Sequence, residues 1–399
     1  MNFLKKFFIL FTGCFLLLNN NSKAQVNAIT TAVPFLLIAP DSRIGGMGEA
    51  GVAVSSDANA IHWNPAKLAF AEKNMGVSMS YIPWLRQLVP DINISYLSFF
   101  KRIDKYQTAA VSMKYSSLGN ITFTGPGGEL IGDFRPYEMS MDGAYSRKLG
   151  DRFSGGMAFR FIYSNLTFGQ MVGGAETKPG IAAAADVSMY YRNKDIRWGN
   201  AKVEFAFGTN ISNIGNKMQY SSTSRRDFLP TQIRLGPALT VRTDEYNTVT
   251  FCFDAIKLLV PTPPAVDKNN QRIAGKDPNV GVAAGMFQSF YDAPGVEKEP
   301  GSGSRSKFTE ELREINLCSG FEWWYDKQFA LRAGYFHEHA TKGYRQYFTF
   351  GIGLRYNVFG LDMSYIVPTQ ARHPLQNTLR FTLLFDFIAV KKDAGPSIE

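Results

Sequence analysis

Apolar side chains alternate with small or polar ones along most of the chain from Asn74 onward, in segments of about ten residues. Successive side chains of a β-strand point to opposite faces, so this period of two predicts strands with one apolar and one polar face. In the segment from Phe153 to Tyr163, the apolar face carries Phe153, Met157, Phe159, Phe161 and Tyr163, and the other face carries Ser154, Gly156, Ala158 and Arg160.

Three later segments repeat the split between the two faces. Val203, Phe205 and Phe207 alternate with Lys202 and Glu204. The other two segments are 249–254 and 380–387, the latter being the last strand. The apolar face of such strands packs either against a second sheet in a soluble sandwich or against lipid in a barrel, and alternation alone does not distinguish the two.

The N-terminus predicts export. Lys5 and Lys6 precede the apolar run from Phe7 to Leu18, and small residues flank the predicted cleavage site after Ala24. Lipoprotein processing at Cys14 is the rival interpretation, but the apolar run continues through Leu18, beyond that cysteine. The mature chain is therefore expected to begin near Gln25.

Composition favours the membrane over a soluble sandwich. The chain is 14% aromatic with 36 glycines, and beyond the signal it has no apolar run long enough for a transmembrane helix. Its formal charge of +9 falls to about +6 without the signal's three lysines, which does not imply nucleic acid. Only Cys252 and Cys318 remain in the mature chain, and whether they pair is left open. An exported, aromatic-rich chain with alternating faces predicts an outer-membrane β-barrel.

Short and long connections alternate along the chain, as they do in outer-membrane barrels, and this alternation predicts fourteen strands. The strand-like segment from Asn279 to Phe290 is placed inside the longest loop, because counting it would make the total odd. The predicted short connections are 102–105, 150–152, 192–200, 243–247, 326–328 and 359–360. The predicted long ones are 82–91, 117–137, 164–179, 212–231, 257–314, 338–346 and 368–377.

Two long loops carry apolar residues that soluble loops rarely expose. In loop 257–314, Phe308, Leu312 and Ile315 are spaced to share one face of a short helix. Exposed apolar residues in such loops serve either as a partner surface or as a lid over the barrel mouth, and their presence in two loops favours the partner surface. The predicted partner-binding residues are Trp84, Leu85, Leu88, Leu258, Leu259, Val260, Pro261, Phe287 and Phe290.

The Gly- and Ala-rich stretch from Asp41 to Phe70 contains Gly46, Gly48 and Gly51 in the spacing of a dinucleotide-binding loop. That site needs a βαβ unit, which the breaks at Pro40 and Pro65 exclude. The stretch is interpreted instead as a plug whose glycines allow close packing, with Asn64, Pro65 and Ala66 fixing a turn. Whether the plug is a permanent stopper or a gate is left open.

No residue set in the sequence indicates catalysis, a cofactor or a metal ion. The chain lacks the GxSxG motif of many hydrolases, and none of its four histidines lies beside an evident nucleophile and acid. His337 and His339 share a strand face, but two such residues are more typical of a barrel rim than of a metal site.

The stretch Gly48 to Ala53, the run Asp57 to Ala60 and the motif Trp63-Asn64-Pro65-Ala66 resemble the N-terminal hatch of FadL-like outer-membrane barrels. Further motifs resemble the PorV family of the type IX secretion system. They are Phe287 to Phe290, Asp292 to Gly295, Glu322 to Tyr325, Phe329 to Phe336, and Lys342-Gly343. The sequence departs from that family at Val296 to Ser306, which separates the Asp-Ala-Pro-Gly run from the acidic helical segment.

The PorV resemblance implies a non-enzymatic role in secretion. Such proteins bind the C-terminal signal domain of cargo at the outer-membrane translocon and carry it to a surface attachment complex, where a sortase-like protein links it to lipopolysaccharide. Two alternatives are a FadL-like channel for hydrophobic small molecules and an outer-membrane hydrolase of lipid A or acyl chains. Basic residues in the predicted extracellular loops either neutralise lipopolysaccharide phosphates or keep the loops solvated. These residues are Arg225, Arg226, Lys257, Lys268, Arg272, Lys342, Arg345 and Arg372.

The predicted organisation has four parts. Residues 1–24 form the signal peptide, 25–73 the N-terminal segment and hatch, 74–390 the barrel and 391–399 a C-terminal tail. An even number of strands places both barrel ends on the same side of the membrane, predicted to be the periplasm.

Overall fold

A computed structural model describes residues 27–125, 127–172, 175–199, 201–221, 224–297 and 304–387. The predicted signal peptide and the predicted C-terminal tail lie outside the described residues. So does 298–303, within the segment that departs from the PorV pattern.

Fourteen antiparallel strands form a closed barrel, in which β1 pairs with both β2 and β14. This confirms the predicted fold class and strand number. The strands are β1 Met75–Pro83, β2 Asn93–Arg102, β3 Gln107–Ser117, β4 Tyr137–Lys148, β5 Phe153–Asn165, β6 Gly180–Trp198, β7 Ala201–Gly215, β8 Gln232–Arg242, β9 Asn247–Leu258, β10 Ile315–Tyr325, β11 Phe329–His337, β12 Gln346–Tyr356, β13 Phe359–Pro368 and β14 Leu379–Phe387.

The two faces of the strands separate as the alternation predicts. In β5, Phe159 is 66% exposed on the outside of the barrel, and the next residue, Arg160, is 6% exposed. Val203 is an exception, because it is buried although the pattern places it on the lipid face. It pairs with Ile196 beside a register shift between Asn193 and Ile196 in β6, and a bulge of this kind twists a strand locally.

Six short turns lie at one end of the barrel, the turn end, and seven longer loops lie at the other, the loop end. Two predicted turns are wrong in position. Strand β6 continues through the predicted turn 192–200 as far as Trp198, and the last turn lies at Asn357 and Val358 rather than 359–360. Charged residues interrupt the alternation at the end of β6, so the periodicity does not mark where the strand stops.

The loops contain secondary structure of their own. Helix α3 spans Val282–Gln288, where the sequence looks strand-like, and helix α4 spans Lys307–Arg313 near the predicted helical face. Four two-stranded hairpins occupy 121–134, 171–176, 265–274 and 296–306. None of the helices in the described parts of the chain is long and apolar enough to cross a bilayer.

The described part of the N-terminal segment, residues 27–73, is called the hatch below. It holds two short α-helices, α1 Ser42–Gly45 and α2 Ala60–Trp63, and the 3-10 helices Pro34–Leu37 and Pro65–Phe70. Helix α1 contacts β12, β13 and β14, whereas the second 3-10 helix contacts β3, β4, β5 and β6. Because these strands lie around different parts of the barrel, the hatch occupies the lumen.

Candidate functional site

Backbone-to-backbone packing joins the hatch to the barrel wall. Gly48 has φ +63, and its N–H donates to Thr349 Oγ1 at 2.8 Å. A Cβ on the facing wall residue, Gly334, would lie 2.1 Å from the nitrogen of Gly48, and a Cβ on Gly320 would lie 2.5 Å from the carbonyl oxygen of Met47. No side chain fits in these positions, so glycine is required on both sides of the contact.

The other two predicted hatch glycines are also tightly packed. A Cβ on Gly46 would lie 3.1 Å from the Cα of Gly351, and one on Gly51 would lie 2.6 Å from the side chain of Ile44. The N–H of Gly51 donates to Asp254 Oδ2 of β9 at 2.8 Å. All three glycines therefore pack at positions where a larger residue would clash.

Asn64, Pro65 and Ala66 start the second 3-10 helix and fasten it to the wall. The side chain of Asn64 accepts from the N–H of Ala66 at 3.0 Å, which caps the helix, and Pro65 occupies its first turn. The Asn64 amide donates to the carbonyl of Met189, and the Ala66 carbonyl accepts from Ser154 at 2.7 Å. This motif therefore joins the hatch to β5 and β6.

A chain of buried ion pairs fixes the other side of the hatch. Arg43 of α1 donates through two nitrogens to both oxygens of Glu322, at 2.9 and 2.8 Å. Glu322 also accepts from Arg332 at 2.7 Å, and Arg332 donates to Asp362 at 2.8 Å. These groups lie on β10, β11 and β13, so one continuous network couples the hatch to three strands.

A second network surrounds Glu49. Its carboxylate accepts from Arg380 of β14 at 2.9 Å and from the hydroxyl of Tyr347 at 2.9 Å, and its carbonyl accepts from Arg234 at 2.5 Å. Arg234 also pairs with Asp254 at 3.1 Å. Strands on both sides of the barrel thus hold the same turn of the hatch.

A cavity of about 550 Å³ opens at the loop end above the hatch. Apolar side chains line one part of it, namely Pro34, Phe35, Ile38, Trp84, Leu85 and Leu258. Glu138, Glu338 and Arg345 line another part. A separate cavity of about 530 Å³ opens at the turn end and shares no lining residue with the first.

Ion pairs hold the longest loop, 259–314, against the rim of the barrel. Lys257 Nζ lies 2.7 Å from Glu314 and 3.0 Å from Glu311, whereas Lys342 Nζ lies 2.7 Å from Glu310 and 2.9 Å from Glu314. The three carboxylates lie on α4 or directly after it, so two lysines of the rim fix this helix in place. We call Glu310, Glu311 and Glu314 the acidic cluster.

The predicted apolar run from Leu258 to Pro261 is not displayed to solvent. Leu259 and Val260 are 3% and 2% exposed, and the N–H of Leu259 donates to the carbonyl of Thr231 at 2.7 Å. The side chain of Pro261 faces Gly285 of α3. This corrects the expectation that the run is exposed, because its apolar residues anchor the loop where it leaves β9.

Exposed apolar side chains lie farther along the same loop. Phe287 and Phe290 are 73% and 51% exposed, and Phe308 and Leu312 of α4 are 73% and 52% exposed. In the shorter apolar loop, Leu88 is exposed, whereas Trp84 and Leu85 are half-buried at the outer cavity. Of the predicted partner-binding residues, Leu88, Phe287 and Phe290 are therefore more than half exposed, and Trp84, Leu85 and Leu258 line the cavity at the loop end. We call Phe287, Phe290, Phe308 and Leu312 the outer apolar surface.

Asp292, in the longest loop, has a carboxyl group whose pKa is raised. Its Oδ2 accepts from the N–H of Thr262 at 3.1 Å, and burial raises the pKa of the carboxyl to about 6 despite this hydrogen bond. Protonation of this carboxyl changes the contact between Thr262, near the start of the loop, and Asp292, farther along it.

Three of the eight basic loop residues form ion pairs within the protein. Lys257 and Lys342 pair with the acidic cluster, and Arg345 pairs with Glu338 at 2.8 Å. Arg225, Arg226, Lys268, Arg272 and Arg372 form no ion pair among the described residues, and Arg226 donates to the side chain of Gln219 at 3.1 Å.

Cys252 and Cys318 are both buried free thiols in the lumen. His62 is half-buried in the hatch, while His337 and His339 lie near the loop-end rim. Within the described ranges, no group of three His, Cys, Asp or Glu side chains is arranged to hold a metal ion.

Two sets of residues in this site were not predicted from the sequence. The wall glycines Gly320 and Gly334 carry no pattern of their own, although each occupies an inward position in a strand whose alternation is clear. The acidic cluster lies in the predicted helix, but its lysine partners are more than 25 residues away in sequence. The alternation of apolar and polar side chains predicts which positions of a strand face inward. It does not predict which side chains contact each other across the barrel.

Solved structures that align with this chain include two toluene transporters and a FadL homologue. The Ralstonia pickettii toluene transporter TbuX is 13% identical, with 88% of this chain and 98% of that chain covered and a TM-score of 0.46. The Pseudomonas putida toluene transporter TodX is 12% identical, with 90% and 98% covered and a TM-score of 0.45. A Pseudomonas aeruginosa FadL homologue is 10% identical, with 91% and 100% covered and a TM-score of 0.40.

A comparison with curated proteins found no match. The family model described as "Type IX secretion system protein PorV" matches residues 20–265, which is more than half of the chain. This match includes the whole hatch and the first nine strands of the barrel. The chain therefore belongs to the PorV family of type IX secretion system proteins and is an outer-membrane β-barrel.

Proposed function

We propose that this protein is a non-enzymatic cargo shuttle of the type IX secretion system. In this role it binds the C-terminal signal domain of a secreted protein at the outer-membrane translocon. It then carries that domain to the surface attachment complex, where a sortase-like protein acts on it. The loop end is extracellular in this proposal, and the turn end and both chain termini face the periplasm.

The outer apolar surface is the observation that carries the proposal. Phe287 and Phe308 expose most of their rings on a loop that ion pairs hold against the barrel. A fixed surface loses little conformational entropy on binding, and aromatic side chains supply much of the energy of protein interfaces. An ordered loop with exposed aromatic residues is therefore better suited to a protein partner than to simple solvation.

The hatch supports a role that does not depend on conduction. Buried ion pairs and backbone contacts fasten it to strands around the barrel, and the two end cavities share no lining residue. We propose that it acts as a permanent plug, so that recognition takes place at the outer surface rather than through the lumen.

Affinity purification in mild detergent tests the shuttle. Phe287→Ser, Phe290→Ser and Phe308→Ser are introduced together in the full chain, and outer membranes are extracted from cells that secrete cargo. We expect recovery of the translocon protein and of unprocessed cargo to fall about tenfold, because the main apolar contacts are lost.

The matched control replaces exposed apolar residues of another loop. Leu130 and Ile131 are 72% and 46% exposed in the hairpin of loop 118–136, and their replacement by Ser removes exposed apolar area from a second loop at the same end. Both proteins must keep the heat-dependent electrophoretic shift of a folded barrel. Equal recovery of partners with both variants, or recovery of the protein alone from the wild type, contradicts the proposal.

Lipopolysaccharide is proposed as a second contact of the loop end. Arg225, Arg226, Lys268, Arg272 and Arg372 are the basic loop residues left for its phosphates, because Lys257, Lys342 and Arg345 pair internally. This proposal predicts that replacing Arg225 and Arg226 by Gln reduces lipopolysaccharide co-purification, whereas replacing Lys342 by Gln loosens the loop instead.

The outer cavity favours one alternative, a channel for hydrophobic small molecules. Its volume of about 550 Å³ and its apolar wall are typical of sites for small ligands. Uptake of a hydrophobic compound distinguishes the two functions. Under the alternative, Phe35→Asp reduces uptake and leaves partner recovery unchanged, and under the shuttle no uptake depends on the protein.

A further inference from the structure

The hairpin of β6 and β7 extends beyond its neighbour at the turn end. Tyr191 of β6 pairs with Phe153, the first residue of β5, and β6 continues for seven more residues to Trp198. At about 3.3 Å per residue, roughly 20 Å of strand therefore lies past the end of β5.

This extension leaves a strand edge open. On one side, Asn193, Ile196 and Arg197 pair with β7, and Lys194 and Asp195 lie in the register shift between them. Within the described chain no strand pairs with residues 193–197 on the β5 side. The last backbone hydrogen bond on that side runs from the N–H of Arg192 to the carbonyl of Arg152 at 2.8 Å. An open edge presents N–H and C=O groups that an extended peptide can pair with.

A cleft lies between the turn 149–152, which joins β4 to β5, and the extended end of β6. Its volume is about 650 Å³, with Phe70 of the hatch among its lining residues. Lys148, Arg152, Arg192 and Lys194 line it together with Asp151 and Asp195. Arg152 pairs with Asp195 at 2.8 Å, Arg192 pairs with Glu204 at 2.6 Å, and Lys194 lies 3.6 Å from the exposed carboxylate of Glu72. Lys148 Nζ lies 4.8 Å above the ring of Phe70 rather than beside a carboxylate.

Charge is distributed unevenly around the turn end. The three consecutive turn regions 101–105, 147–152 and 192–204 contain ten basic and four acidic residues. The opposite regions 242–248, 325–329 and 355–359 contain three of each. The open edge therefore lies in the only half of the turn end whose sequence carries a strong positive charge.

We propose that this edge and cleft form a docking site for an extended acidic segment of a periplasmic protein. The segment adds to β6 as a further strand, and its carboxylates face Lys148, Lys194 and Arg197. This site is separate from the loop-end surface and takes a different partner, although its periplasmic position rests on the orientation proposed above.

The same features disfavour pairing of the edge with a second copy of itself. Basic residues and a register shift between Asn193 and Ile196 discourage the pairing of two such edges, because Lys194 and Arg197 of the copies would repel each other. An acidic segment replaces that repulsion with attraction. The charges of this edge therefore disfavour pairing with another copy of the edge and favour pairing with an acidic strand.

The test uses the full mature protein in nanodiscs of neutral phosphatidylcholine. The probe is a short fluorescent peptide of alternating Glu and Val, compared with a Lys and Val peptide and with an acidic peptide interrupted by Pro. We expect only the uninterrupted acidic peptide to slow amide hydrogen exchange at 193–197, since Pro cannot extend the strand ladder.

Paired charge reversals locate the binding. Lys194→Glu with Arg197→Glu is expected to weaken the acidic peptide at least about tenfold, whereas Arg242→Glu with Lys327→Glu on the opposite side changes its affinity about twofold or less. Equal loss in both variants, or binding without protection at 193–197, overturns the proposal in favour of a general cationic surface. Loss of peptide binding when phosphatidylglycerol replaces part of the neutral lipid overturns it in favour of a lipid-phosphate site. All of these readouts are independent of cargo binding.

Discussion

Glycine has a specific role on the barrel wall as well as in the hatch. Gly334 faces Gly48, and Gly320 faces the carbonyl of Met47, so the two backbones touch without intervening side chains. The hatch glycines could be recognised from their cluster in the sequence. The wall glycines could not, because a single glycine in a strand carries no signal of the residue that packs against it.

Gly334→Ala is expected to lower the free energy of unfolding by about 2 kcal/mol, because the added Cβ lies too close to the Gly48 backbone. The measurement is denaturant unfolding in detergent, followed by tryptophan fluorescence. Gly143→Ala is the matched control, since a Cβ at Gly143 meets no atom within 4 Å. Equal stability of the two variants would contradict the close packing.

Glu322 joins two arginines in the lumen. Glu322→Gln leaves Arg43 and Arg332 with a neutral partner in a buried site, and removing one member of such a pair costs about 3 kcal/mol. The same unfolding measurement is expected to show this loss. Glu297→Gln is the control, because its pair with Arg305 is near the surface and contributes at most about 1 kcal/mol.

The elements were easier to predict than their contacts. Alternation identified the strands because each has one lipid face and one inner face, and helical spacing identified α4 from Phe308 and Leu312. Residues 282–288 look strand-like yet form α3, in which Gly285 packs against Phe228 and Pro261. The predicted end of β6 was too early because the last residues of the strand include charged side chains and no longer alternate.

The longest loop is expected to open with rising pH. Burial raises the pKa of Asp292 to about 6 in the folded loop, from its ordinary value of 3.8, so the folded loop binds the proton more tightly than the open one. This contribution to stability is complete below about pH 4 and is lost as the pH rises through about 6.

Hydrogen exchange of residues 282–292, corrected for the intrinsic rate, measures this dependence. We expect protection to fall between about pH 4 and 6 in the wild type and to stay level in Asp292→Asn, which no longer titrates. The same slope in both proteins would show that another group controls the loop.

At the scale of the molecule, the hatch lies between two cavities that share no lining residue. The number of strands and the position of the hatch follow from the order of segments along the chain. The attachment of the hatch to the wall depends on ion pairs and glycine contacts across the lumen, which no local pattern reveals. Fold was therefore predictable at the level of architecture, and the site only in part.

Conductance tests the plug. In planar bilayers the mature protein is expected to show no steady current, because the hatch fills the lumen. Deletion of residues 27–71 is expected to give a water-filled channel in those molecules that still form a barrel, as judged by their electrophoretic shift. Steady conductance of the intact protein under the same conditions would indicate a gate instead of a stopper.

The hatch precedes the barrel in the sequence, but some of its contacts are made with the last strand of the barrel. The N–H of Ser42 donates to Thr382 Oγ1 at 2.9 Å, across 340 residues of chain, and Glu49 contacts Arg380 on the same final strand. These contacts require β14, so they form only once that strand has been made. A chain truncated before β14 therefore has a hatch that is not fastened on one side, and its N-terminal segment is left loose there.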